Sequence, residues 1–156
     1  MKRIYTYISI LTLALSSISC SLEENVYTQT DEEFITDAAM SETLLMGVYK
    51  KLGTDGIYKQ NLPFIFSLTT DESKPEGSSL TQHRAEGSNA FNASSSYVEA
   101  TWKALYSAVY DANYFIELMD RKAGVFTEDD QAKCKYYVAE AKALRALLYF
   151  ELVRWF

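Results

Sequence analysis

The sequence has little cysteine, histidine, proline or glycine. Its 156 residues include two Cys, one His, two Pro and six Gly. This composition excludes a disulfide-rich scaffold, a collagen-like fibre and a low-complexity chain. A single His and two cysteines as distant as Cys20 and Cys134 cannot supply zinc ligands at the usual short spacings, so no structural metal is expected.

The chain also lacks an excess of positive charge. It carries 15 Lys and Arg against 21 Asp and Glu, a formal net charge of −6, with no basic cluster. Nucleic-acid binding depends on a clustered basic face that displaces counterions from phosphates, so no nucleic-acid partner is expected. Hydrophobic residues make up 48% of the chain, which is enough apolar material for one folded domain.

Catalytic motifs are missing as well. The sequence has no Gly-x-Ser-x-Gly elbow and no glycine-rich phosphate loop. Adjacent acids such as Asp71-Glu72 and Asp129-Asp130 do not establish the separation across a substrate that glycoside hydrolysis requires. We therefore expect a protein that is not an enzyme and that uses no cofactor.

The first residues have the pattern of a secretory signal. Lys2 and Arg3 precede an apolar stretch, residues 4–15, that is too short to span a bilayer. Cys20 follows a small residue, an arrangement that resembles the bacterial lipobox. The pattern predicts a lipoprotein signal peptide over residues 1–19 and lipidation of Cys20, which would anchor the protein to a membrane. Two alternatives remain: ordinary signal-peptidase cleavage, with Cys20 incidental, and an uncleaved anchor.

Residues 20–29 lack periodicity and predict an acidic tether, and residues 30–156 then predict a helical domain. Thr30 and Glu33 fit a capping box that opens a short helix. A second helix is expected from Thr36 to a stop at Gly53. Its predicted apolar stripe consists of Met40, Leu44, Leu45, Val48, Tyr49 and Leu52.

The second half of the chain predicts two long helices. A capping box at Ser96 and a stripe with steps of three and four residues predict a helix over 97–122. Thr127 predicts the start of a third helix that runs to the chain end, and the short turn between them predicts an antiparallel hairpin. Residues 53–95 are expected to be mostly loop, with an apolar stretch at 62–68 that is either helix or strand.

The last five residues, 152–156, are apolar apart from Arg154, and no Gly, Asn or Pro stop follows the predicted helix. Chain termini are normally polar and frayed. The pattern therefore predicts a chain that is truncated within its last helix.

Four segments, in this order, resemble the N-terminal part of the SusD/RagB family of outer-membrane nutrient-binding lipoproteins. The first is Cys20 with the acidic residues after it, and the second is residues 30–34 leading to Met-Gly-Val-Tyr-Lys-Lys-Leu at 46–52. The third is Trp-Lys-Ala-Leu-Tyr at 102–106 with Asp-Ala-Asn at 111–113. The fourth is Ala-Glu-Ala-Lys-Ala-Leu-Arg-Ala-Leu-Leu-Tyr-Phe-Glu-Leu-Val-Arg at 139–154. The last segment is the most specific, and the family's full-length proteins are several times longer.

The resemblance implies an all-α fold of tetratricopeptide-like antiparallel helix pairs with one long irregular loop. It also implies a lipid-anchored protein on the exterior of the outer membrane that captures an oligosaccharide or peptide ligand and delivers it to a TonB-dependent (SusC-like) porin. Two alternatives remain open from the sequence. One is a helical-repeat adaptor lipoprotein that binds protein partners, and the other is a non-functional truncated gene product.

The candidate ligand contacts lie in the long loop and at the start of the helix that follows it. Asp71, His83 and Arg84 offer hydrogen bonds to a polar ligand, and Tyr97 offers a ring for stacking. A solvated loop is the alternative interpretation. Trp102 and Trp155 lie on the predicted apolar stripes and are expected to pack in the core instead.

Overall fold

The computed structural model describes residues 31–74, 84–85, 87–90, 92–93 and 95–156. Its helices are α1 (Asp31–Phe34), α2 (Ala38–Leu52), α3 (Asn61–Leu68), α4 (Ser96–Lys122) and α5 (Glu128–Trp155), with a π-helical segment at Asp55–Lys59, called here the π segment. The described ranges contain no strand, which confirms the all-α prediction. No helix in these ranges is both long and apolar enough to span a bilayer.

The helices α4 and α5 form the predicted antiparallel hairpin, and two smaller groups of elements pack against it. Near the turn of the hairpin, α2 covers both helices. The core there consists of Ile35, Ala38, Leu45, Val48, Ala112, Phe115, Leu118, Met119, Phe126, Cys134, Ala141 and Leu144. Near the open end, the π segment and α3 pack against the hairpin. The core there consists of Ile57, Leu62, Leu105, Ala108, Val109, Leu148 and Leu152.

Asp37 starts α2, since its Oδ1 accepts a hydrogen bond from the Met40 amide at 2.9 Å. The helix ends at Gly53, as predicted. The predicted stripe is partly wrong, because Met40 and Tyr49 are exposed. The buried face instead follows Ala38, Ser41, Leu45 and Val48, and the fully buried Ser41 hydroxyl donates to the Asp37 carbonyl.

The boundaries of the hairpin lie within one residue of the predicted ones. The N-cap of α4 is Ser95, not the predicted Ser96, and its side chain makes no capping hydrogen bond. At α5, the Thr127 hydroxyl accepts from the Asp130 amide at 3.2 Å, which confirms the predicted cap.

Within the region predicted as mostly loop, residues 61–68 form α3, and the π segment is a kinked turn whose backbone at Ile57 is not helical (φ −120°, ψ −118°). The apolar stretch at 62–68 belongs to α3, and the π segment precedes it. Gly56 lies against α4, where a Cβ atom would be 2.5 Å from the Ala104 Cβ and 3.3 Å from the Ala100 carbonyl oxygen. Glycine is therefore needed for the π segment to reach the hairpin. Of the two alternatives left open for residues 62–68, the helix is the one observed, and tertiary packing against α4 holds the π segment before it.

Candidate functional site

Exposed aromatic rings cluster where α4 begins and α5 ends. Trp102 lies between two of them, with ring centroids 4.6 Å from Tyr106 and 5.0 Å from Phe156. Phe66 of α3 contacts Trp155 edge-on at 6.4 Å. Four of the five rings are at least 42% exposed and only Trp155 is half-buried. We call these five residues the aromatic surface.

The exposure of Trp102 corrects the expectation that both tryptophans pack in the core. Trp155 does pack against the core cluster at the open end of the hairpin. On α4, however, the buried position is taken by Thr101, which is 1% exposed and whose hydroxyl accepts from the Asn61 amide group at 3.3 Å. The buried stripe therefore begins one residue before Trp102, which turns the indole to the surface.

Behind the aromatic surface lies a buried carboxylate. Glu151 is 4% exposed, and it accepts hydrogen bonds from the Tyr58 hydroxyl at 2.8 Å, from Arg154 Nη2 at 2.9 Å and from Trp155 Nε1 at 2.9 Å. A buried charge is tolerated when it is paired and hydrogen-bonded in this way. These bonds fix the indole of Trp155 and attach the π segment to α5.

The pKa of Tyr58 reflects the same environment. Burial, followed by the hydrogen bond to the Glu151 carboxylate, raises the pKa of Tyr58 to about 12. The phenol therefore stays protonated, and acts as a hydrogen-bond donor, at neutral pH. Glu151 accepts hydrogen bonds from three donors, so this carboxylate orients the neighbouring side chains.

Two clefts flank the hairpin. The first, about 600 Å³, lies between α4 and α5 near their turn, and its lining includes Ile116, Val138 and Cys134. The second, about 500 Å³, lies between α2 and α4, and an ion pair of 3.0 Å between Lys51 and Asp111 crosses it. In the described parts of the chain, no group of three His, Cys, Asp or Glu side chains is placed to hold a metal ion.

The predicted ligand contacts occupy different elements. Asp71 is exposed in the turn after α3, and Arg84 is exposed in a short helical turn. Tyr97 lies at the start of α4, half-buried, with its ring 6.1 Å from that of Phe64. His83, and Cys20 with its predicted lipid, lie outside the described residues.

The sequence reasoning missed the role of Glu151. One signal for it was present, because Glu151 falls between Leu148 and Leu152 on the buried stripe of α5. An acidic residue on such a stripe predicts a buried hydrogen-bond network. Its main partner, Tyr58, is 93 residues away and could not have been found from periodicity.

Comparison with known proteins connects this chain to one family. A family model named SusD-like, described as starch-binding and associating with the outer membrane, matches residues 21–156. A SusD-like protein, P2, of Formosa agariphila is 28% identical over 152 residues. That alignment spans 96% of this chain and 29% of the Formosa protein.

A solved structure supports the same relationship. The crystal structure of a SusD homolog from Bacteroides thetaiotaomicron matches with a TM-score of 0.72 and 39% identity. The match covers 80% of this chain and 23% of that protein. The chain thus spans less than a third of the length of either relative.

Proposed function

Because this chain belongs to the SusD-like family, we propose that it is a lipid-anchored protein of the outer membrane that captures a nutrient and delivers it to a TonB-dependent transporter. The observation that carries the proposal is the match of the family model across residues 21–156, which is every residue after the proposed lipid attachment site. The ligand class proposed is a starch-type oligosaccharide or a peptide. Capture is non-covalent.

The anchor proposed is a lipid on Cys20, with residues 1–19 removed as the signal peptide, residues 20–29 as a tether and residues 30–156 as the helical domain. Two or three acyl chains hold a protein on a membrane essentially permanently. With such an anchor, the domain needs no apolar membrane-facing surface of its own. The domain is proposed to face the exterior, where it meets nutrients before they cross the outer membrane.

The aromatic surface supports capture of a glycan. Trp102 and Tyr106 present two rings to solvent within 5 Å of each other, and aromatic faces pack against the C–H faces of sugars. Phe156 extends the row of rings. This surface joins the residues predicted from the sequence, Asp71, His83, Arg84 and Tyr97, as a second proposed contact region.

The two regions are separable by substitution. Isothermal titration calorimetry of the full chain in mild detergent, with maltoheptaose and then a defined peptide mixture, tests capture directly. Trp102→Ala with Tyr106→Ala removes two of the four exposed rings of the aromatic surface, and Asp71→Ala with Tyr97→Ala removes two residues of the other region. Capture at the aromatic surface predicts at least about tenfold weaker binding for the first pair and little change for the second.

The opposite ranking would move the ligand to the region of Asp71 and Tyr97. Absence of saturable binding to both ligands would contradict capture by this domain. A matched control is Tyr110→Ala with Tyr136→Ala, which removes two exposed rings outside the aromatic surface.

A further inference from the structure

The cleft of about 600 Å³ between α4 and α5 has an apolar floor. Ile116 and Met119 of α4 contribute to it, together with Phe126 from the turn and Val138 of α5. Met119 and Phe126 are buried, whereas Ile116 and Val138 are half-buried. None of the described residues that line the cleft belongs to α2, which packs on the other side of the hairpin.

The two rims of this cleft carry opposite charges. On α4, the rim consists of Glu117 and Asp120, and both are exposed. On α5, it consists of Lys135 and Lys142, also exposed, with Arg145 at the end. Each rim therefore presents one sign of charge along one helix.

The charges of the two rims do not neutralise each other. Within the described chain, no ion pair joins Glu117 or Asp120 to Lys135 or Lys142. Glu117 instead pairs with Arg121 on its own helix, at 3.8 Å and in an exposed position. Such a pair is worth little, so both rims remain available to a partner.

Asn113 and Arg145 line the end of the cleft toward the aromatic surface. There Arg145 Nη1 donates to Asn113 Oδ1 at 2.6 Å and bridges the two helices. From Asn113 to Ala123 the cleft follows about three turns of α4, or roughly 15 Å at the helical rise. This length and the groove between two parallel ridges suit a single helix laid along them.

We propose that this cleft is a docking site for an amphipathic helix of a partner protein, with an apolar stripe, a basic flank and an acidic flank. The apolar stripe packs on Ile116 and Val138. The basic flank faces Glu117 and Asp120, and the acidic flank faces Lys135 and Lys142. The proposal is independent of nutrient capture, because the aromatic surface contributes none of the lining residues.

The test uses three synthetic helical peptides of about 16 residues with the same leucine stripe, long enough to cover the cleft. One has a basic and an acidic flank, one has two basic flanks and one has two acidic flanks. Fluorescence anisotropy with the full chain in mild detergent measures each affinity. The mixed peptide is expected to bind roughly fivefold more tightly than either of the others, with the difference reduced at high salt.

A double substitution makes the test specific to the cleft. Lys135→Glu with Lys142→Glu makes both rims acidic and is expected to shift the preference to the peptide with two basic flanks. The matched control, Lys50→Glu with Lys103→Glu, makes the same change in net charge at exposed lysines outside the cleft and should keep the original preference. Circular dichroism confirms that each variant is folded.

Three results of the binding measurements, and one result on the oligomeric state, would overturn the proposal. The binding results are equal affinity for the three peptides, absence of binding to any of them, and an unchanged preference in the Lys135→Glu, Lys142→Glu variant. Concentration-dependent dimerisation of the chain that this variant abolishes would assign the cleft to a second copy, and would overturn it too.

Discussion

The hydroxyl of Tyr58 donates a 2.8 Å hydrogen bond to the carboxylate of Glu151, across 93 positions of the chain. This contact joins the π segment to the last helix. Glu151 also accepts from the indole of Trp155, so a single buried carboxylate orders both the π segment and one ring of the aromatic surface. The stability of this end of the bundle therefore depends on one network.

Removal of the Tyr58 hydroxyl is expected to destabilise the fold. Tyr58→Phe keeps the ring but leaves the buried Glu151 carboxylate with one donor fewer, at a cost of about 1–2 kcal/mol in the free energy of unfolding. Urea denaturation followed by circular dichroism measures the loss. A double-mutant cycle with Glu151→Met, which removes the acceptor, should be non-additive, because the two residues share the bond. Additive effects would contradict a direct interaction.

The hydrogen bond between Tyr58 and Glu151 predicts that the stability of the fold depends on pH in the alkaline range. The pKa of Tyr58 is raised to about 12 in the folded chain from an unfolded value of 10.0. Above pH 10 the unfolded chain loses this proton before the folded chain does, so the contribution of Tyr58 to stability is complete below pH 10 and is lost as the pH rises through 12. The stability difference between the wild type and Tyr58→Phe should shrink over this interval. A difference that stays constant or grows with pH would contradict the assignment.

Two glycines predict opposite effects of the same substitution. Gly56→Ala places a Cβ atom 2.5 Å from the Ala104 Cβ, and overpacking of this kind costs about 1–3 kcal/mol. Gly47→Ala lies within α2 with no atom within 4 Å of the added Cβ, so it should stabilise by about 0.5–1 kcal/mol. Thermal melts of the two variants, compared with the wild type, measure the contrast. Equal shifts of Tm would show that close packing does not hold the π segment.

The two cysteines allow a prediction of how many thiols react with Ellman's reagent. Burial raises the pKa of the Cys134 thiol, which is 5% exposed, so native protein should react slowly with Ellman's reagent. Once the protein is unfolded in guanidinium, chain purified from the outer membrane should release one equivalent of chromophore, from Cys134, because the proposed lipid blocks Cys20. Two equivalents would show that Cys20 is free and would contradict lipidation.

The helices that follow from local signals were predicted well. Thr127 predicted the start of α5, and its hydroxyl caps that helix. These signals work because caps and periodicity act within one or two turns of a helix. The match of α4 to the predicted range 97–122 has the same origin.

The sequence-based predictions were wrong where contacts between residues far apart in the sequence determine the structure. The choice between Thr101 and Trp102 for the buried side of α4 depends on Asn61 of α3, which donates to the Thr101 hydroxyl. The π segment depends on the close approach of Gly56 to Ala104 and on the bond from Tyr58 to Glu151. None of these contacts leaves a periodic trace in the sequence, so the aromatic surface could not be predicted from the sequence alone.

The most direct test of the account measures ligand capture at the surface of intact cells. Cells that express the chain are incubated with fluorescent maltoheptaose or a fluorescent peptide mixture, and cell-bound fluorescence is compared with that of cells expressing Cys20→Ser and of cells without the gene. The account predicts saturable binding by the wild type, lost when external protease removes the protein and absent in the Cys20→Ser cells. Binding by wild-type cells no greater than by cells without the gene, for both ligands, would contradict it.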